Sequence, residues 1–120
     1  MQDGSICYVE FFTSDLERSR RFYERAFGWR FRARDGWDAF LFFETPDGIG
    51  GMFKRKPEAI TPLGPIVHVR CSEIDEAIAR VEAAGGSVVI PKTAKDADDP
   101  SQGSFALVED DVGNRIGLST

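Results

Sequence analysis

The stretch DLERSRRFYERAFGWRF, residues 15–31, decides how the rest of the chain is read. Leu16, Phe22, Tyr23 and Phe27 recur at helical spacing, charged residues fill the positions between them, and Gly28 stands where a left-handed C-terminal cap is needed. Just upstream, Ser14 and Glu17 have the Ser-x-x-Glu spacing of a capping box, so the helix is expected to open at Thr13 or Ser14. Residues 6–12 before it read as a strand. After it come three short strands: WRFRAR from Trp29, AFLFFE from Ala39 and GIGGMF from Gly48, with TPDG as a tight turn between the last two.

The same plan then returns. KRKPEAITPLGP carries three prolines and no apolar period, which makes it a linker, and IVHVRC beyond it is a strand. SEIDEAIARVEAAGG reads as a second helix, with Ser72 and Asp75 as a capping pair, Ile74, Ile78 and Val81 as its buried stripe, and Gly85 or Gly86 as its cap. SVVIPK, SFALVE and NRIGLS follow as strands. Gly28 matches Gly86 and Leu16 matches Ile74 at an offset of 58 residues, whereas Phe40 matches Phe105 and Glu44 matches Glu109 at 65. The polar stretch TAKDADDPSQG, residues 93–103, accounts for the difference as an inserted loop. An α+β chain of two β-α-β-β-β modules is therefore expected, with module one at 5–53, a linker at 54–64 and module two at 65–120, forming one domain over 1–120. Each module is too small to bury its own sheet well, so the two share a core and curve a mixed sheet around a concave cavity.

Composition narrows the function. Among 120 residues, 42% are hydrophobic and 29% charged, and no apolar run approaches the roughly 20 residues that span a bilayer. A net charge of −5 argues against nucleic acid, and the one dense basic run, Lys54 to Lys56, reads as a solvated linker. The opening residues lack a basic segment followed by an apolar stretch, so no secretory signal is expected and a cytoplasmic location is the default. Cys7 and Cys71 have neither a Cys-x-x-Cys spacing nor an adjacent base, and both are expected to be reduced and buried.

DLERSRRFYERAFGWRF resembles the first-helix signature of the vicinal oxygen chelate superfamily, which holds glyoxalases, extradiol dioxygenases and bleomycin and fosfomycin resistance proteins. DEAIARVEAAGGSVVIP and VEDDVGNRIGLS resemble its second helix and last strand. The resemblance implies the glyoxalase/bleomycin resistance fold and a homodimer. It also implies, for metal-dependent members, a divalent ion held by His, Gln and carboxylate side chains from the first, fourth, fifth and eighth strands. In this chain those positions are Tyr8, Met52 (or Gly51 if the register slips by one), Ile66 and Gly117. An isoleucine and a glycine offer no donor atom and a thioether suits a soft ion, so no metal or other cofactor is expected.

Alternation along the strands places Tyr8, Glu10 and Phe12 on one face of the first strand, and Ile66, His68 and Arg70 on the matching face of the fifth. His68, the only histidine, is the counterpart of Glu10 at the offset of 58. Three readings of this pair stay open: a structural carboxylate–imidazole or carboxylate–Arg70 pair, groups that orient a ligand, or a displaced metal or acid–base site. The candidate binding residues are Tyr8, Glu10, Phe12, Phe42, Met52, His68, Arg70 and Arg115, Arg115 being a possible anion-binding group at the cavity edge. Trp29 and Trp37 are expected to be partly exposed near the cavity mouth or a subunit interface. The reading that follows is a metal-independent protein that binds an apolar or aromatic small molecule as the antibiotic-sequestering relatives do, with enzymatic activity left open and, if present, lactoylglutathione-lyase-like or dioxygenase-like. The alternatives are a metal-dependent lyase or dioxygenase-like enzyme with displaced ligands, and a purely dimerising module.

Overall fold

The computed structural model describes residues 2–46 and 48–120. Module one runs β1 (Tyr8–Thr13), α1 (Leu16–Phe27), β2 (Arg30–Arg32), β3 (Phe40–Glu44) and β4 (Gly50–Arg55). Module two repeats it as β5 (Val67–Arg70), α2 (Ile74–Ala83), β6 (Ser87–Ala94), β7 (Ser104–Glu109) and β8 (Arg115–Ser119). Each module forms its own four-stranded mixed sheet, ordered β1-β4-β3-β2 and β5-β8-β7-β6. The strand before each helix thus pairs in parallel with the last strand of its module, Glu10 opposite Met52 and His68 opposite Gly117. The expected α+β architecture of two β-α-β-β-β modules is present, as two sheets.

Alternation decides which side of each sheet is core. Phe11, Leu41, Phe43 and Phe53 are buried on the helix side of the first sheet, and Ala106, Val108, Ile116 and Leu118 on that of the second. The helices close over these faces with Phe22, Tyr23 and Ala26 from α1 and Ile74, Ala77 and Val81 from α2, and the buried residues of both modules form one cluster. Tyr23 and Phe43 stack on Trp29 with ring centroids 4.7 and 4.8 Å away.

A polar network crosses this core. Tyr23 Oη donates to Asp110 Oδ2 at 2.8 Å, and Asp110 Oδ1 accepts the backbone N–H groups of Val112, Gly113 and Asn114 at 2.9–3.0 Å. Asn114 Nδ2 donates both to Asp110 Oδ2 and, at 2.7 Å, to the Phe12 carbonyl on β1. Burial pushes the Tyr23 phenol well above its ordinary pKa, and the neighbouring Asp110 charge adds to the shift. A fully satisfied buried network fixes one arrangement of the modules, because any other leaves its carboxylate unpaired.

Local details differ from the sequence reading. Asp15, not Ser14, caps α1: its side chain accepts the Arg18 N–H at 3.1 Å, while Thr13 turns inward to accept the Ser19 hydroxyl at 2.7 Å. Glu73 occupies the N-cap of α2 without a side-chain cap, so the Ser72 and Asp75 pairing does not form. Gly28 caps α1 at φ 71°, in the left-handed region as expected. Lys54 and Arg55, placed in the linker from sequence, continue β4 because β1 and β3 both extend far enough to pair with them. Trp29 is 5% exposed, not a surface indole, since it stacks between two core rings. Cys71 is buried, but Cys7 precedes β1 and is exposed. The turn expected at 45–48 includes Asp47, which lies outside the described residues.

Candidate functional site

The faces turned away from the helices carry the candidate residues. On the first sheet one cross-strand row runs Glu10, Met52, Phe42, Arg32, and the next runs Phe12, Lys54, Phe40. Glu10 is exposed and Tyr8 is 45% exposed, while Phe12, Phe42 and Met52 are half-buried. The Trp37 loop folds onto this face, placing the indole 5.3 Å from Phe40 and 5.8 Å from Phe42 between centroids. Its 39% exposure agrees with the sequence reading.

Arg34 lies 4.5 Å over Trp37, Arg32 5.2 Å over Phe42 and Lys54 5.6 Å over Phe40. The result is an aromatic shelf with cations along it. Trp37 and Phe42 were legible as exposed or cavity-facing aromatics, but the three cations were missed. Arg32 and Lys54 were detectable by alternation, since they share the parity of Phe42 and Met52 in strands that pair with them. Arg34 shares the parity of Arg32 within the expected strand WRFRAR, but β2 ends at Arg32, so Arg34 reaches Trp37 from beyond the strand.

The second sheet carries His68, Arg70 and Arg115. His68 and Arg70 are exposed, and the His68 Nδ1 is 2.8 Å from Ser119 Oγ on the neighbouring β8. Arg115 Nε stands 3.5 Å from Glu109 Oε2 across the β7–β8 pairing. Glu10 and His68 lie on separate sheets and make neither a hydrogen bond nor an ion pair with each other. The sequence foresaw the faces of both residues, but Ser119 as the imidazole's partner was missed because cross-strand register is invisible in one strand.

The implied divalent ion meets no suitable donor set. Met52, not Gly51, is the fourth-strand residue on this face, since a side chain at Gly51 would run into the Val9 carbonyl and the Phe43 ring. At the eighth-strand position a side chain on Gly117 would collide with the His68 imidazole, so that ring occupies the space of the carboxylate that family resemblance would place there. Tyr8, Met52, Ile66 and Gly117 therefore do not fit a hard divalent ion. Among the described residues no three His, Cys, Asp or Glu side chains cluster to hold one.

A crevice of about 730 Å³ lies between the modules, where β1 and β5 are the edge strands of their sheets. Val9, Phe11, Trp29 and Phe43 form one wall, and Val67 and Val69 another, with His68 and Arg70 also contributing. Its walls come mainly from the helix-facing sides of the sheets. Tyr8, Phe12, Phe42 and Met52 do not line it.

A family model described as Glyoxalase/Bleomycin resistance protein/Dioxygenase superfamily matches residues 5–118. Among solved structures, the fosfomycin resistance protein FosX from Mesorhizobium loti is 21% identical, with a TM-score of 0.73 over 100% of this chain and 93% of that one. A glyoxalase-related enzyme from Fulvimarina pelagi is 23% identical, with a TM-score of 0.74 over 97% and 87%. TioX from Micromonospora sp. ML1 is 26% identical, with a TM-score of 0.69 over 97% and 98%. No protein of curated function matches significantly. Among the described residues no helix is long and apolar enough to cross a membrane.

Proposed function

Since the chain belongs to the glyoxalase/bleomycin resistance protein/dioxygenase superfamily, we propose that it binds an apolar or aromatic small molecule on the open sheet faces without a metal ion. The observation that carries this reading is the cluster of exposed Trp37 with half-buried Phe40 and Phe42, on the same face as Tyr8 and Met52, while of the four positions Tyr8, Met52, Ile66 and Gly117 only Tyr8 carries a side-chain oxygen. Apolar burial supplies roughly 25 cal/mol per Å² of apolar surface removed from water, so a ligand packed against these rings needs no chelation to bind. Tyr8, Phe12 and Met52 extend the apolar floor, while Glu10, His68, Arg70 and Arg115 are the polar groups that orient a ligand. The names of the structural neighbours include an antibiotic resistance protein, which favours a foreign or secondary-metabolite ligand.

In this reading the chain is a cytoplasmic homodimer, and the partner's sheet closes over the ligand. The exposed Tyr8, Ile66 and Ile90 support such closure, because isolated sheet faces with large apolar side chains gain from being covered. A thermal-shift screen of antibiotics and aromatic metabolites tests the proposal, run with and without nickel, zinc, manganese and iron. A ligand that raises Tm in the absence of metal, and loses that effect in Phe42→Asp, is the expected result. Tight copurification of a divalent ion on which ligand binding depends would overturn it.

A further inference from the structure

Resting on that reading, we infer that the ligand is an aromatic anion, its ring packed against the cluster in which the Trp37 indole meets Phe40 and Phe42 at 61° and 52°, its negative group directed toward Arg32 and Arg34, with Lys54 of β4 adding to the positive potential along the face. The chain as a whole has a net charge of −5, so a local excess of cations is not inherited from composition. Each of the three cations lies over one ring of the shelf, at 4.5–5.6 Å. None of the three forms an ion pair with a carboxylate among the described residues, whereas Arg30 beside them is paired with Glu44 and Arg115 on the other sheet with Glu109. Their positive charge is thus available to a ligand.

Charge is also arranged along the face. In the row Glu10, Met52, Phe42, Arg32 the acidic and basic ends stand three strands apart, about 14 Å at the usual spacing between paired strands. A molecule with an aromatic body and one anionic substituent fits that polarity in a single direction, with the anion toward β2 and away from Glu10. A neutral ring would gain no Coulomb attraction from the three cations, and a cationic one would be repelled by them. Guanidinium groups also suit carboxylate, sulfonate or phenolate oxygens through paired N–H donors.

Two fluorescent probes of nearly the same shape test this: 1-anilinonaphthalene-8-sulfonate, which is anionic, and N-phenyl-1-naphthylamine, which is neutral. The sulfonate is expected to bind at least about 10-fold more tightly, and to weaken several-fold between about 0.05 and 0.5 M salt while the neutral probe does not. The double variant Arg32→Gln/Lys54→Gln is expected to remove most of the preference and leave the neutral probe within about 2-fold. Trp37→Ala, an exposed change, is expected to weaken both. If the neutral probe binds as well as the sulfonate, or the double variant keeps the preference, the ligand is not selected by charge and this inference falls while apolar binding stands. If neither probe responds to Trp37→Ala, the shelf is not the binding surface and the proposed function falls with it.

Discussion

His68 and Gly117 face each other across the parallel pairing of β5 and β8, and the imidazole fills the space in which a side chain at 117 would begin. The bond between His68 Nδ1 and Ser119 Oγ at 2.8 Å holds the ring there. The glycine at 117 and the position of the histidine are thus one structural fact, not two.

Gly117→Ala is expected to destabilise the protein by about 1 kcal/mol, since the exposed ring must swing aside and give up its hydrogen bond to Ser119. In a His68→Ala background the same substitution should cost close to nothing. Urea denaturation of the four proteins of this double-mutant cycle measures the coupling. Equal costs in both backgrounds would show that the ring does not occupy that space.

Tyr23→Phe removes one partner of the buried Asp110 carboxylate and should lower stability by about 1–3 kcal/mol. Asn114→Ala should cost more, because it also breaks the bond to the Phe12 carbonyl that ties β1 to the second module. Chemical denaturation orders the two. A smaller loss for Asn114→Ala would mean that the network contributes little to holding the modules together.

Burial and the adjacent Asp110 raise the pKa of Asp111 above its ordinary value of 3.8, and its Oδ1 has no hydrogen-bond partner; Arg18, 3.1 Å from Oδ2, opposes the shift. A carboxyl whose folded pKa is raised binds its proton more tightly in the native state. Its contribution to stability is therefore fully present below the unfolded value of about 3.8 and is lost as pH climbs through the window from there through the raised value. Asp111→Asn cannot titrate, so the variant's Tm should gain on the wild type as pH rises through that window. A gain in the opposite direction would mean that the exposed Arg18 pairing dominates.

Thiol titration should separate the two cysteines. Cys7 is exposed and is expected to react first, whereas burial hides Cys71 and pushes its thiol pKa up, leaving it at least about 10-fold slower. Cys7→Ser should remove the fast phase and leave the slow one. Two equal rates would place both sulfurs in solvent.

Much of this fold is legible in the chain. The apolar period of residues 16–27, the positive-φ glycine after it and the return of the period at an offset of 58 fix two helices and two modules, because period is a local property; the second cap differs, since α2 ends at Ala84 in the right-handed region and Gly85, not Gly86, has positive φ. Strand parity likewise put Tyr8, Glu10, His68 and Arg70 on the faces where they stand. Parity is less informative about neighbours. It could not say that Lys54 pairs with Phe12 and Phe40, which depends on how far β4 runs beside two other strands. Helix entry was misread for a related reason: Ser14 and Asp15 are both good caps, and the Thr13 side chain, drawn inward by Ser19, left Asp15 in the capping place.

The sequence by itself determined the order of helices and strands, the two-module plan and the chemistry of the side chains at Tyr8, Met52, Ile66 and Gly117. These follow from side-chain chemistry and short-range periodicity, which do not depend on distant partners. Only the tertiary structure decided what surrounds those side chains: an imidazole lying across Gly117 on one sheet, and on the other three aromatic rings, each with a cation over it. Both arise from cross-strand register and from a loop folding back onto a sheet, and register is set by the packing of the whole core.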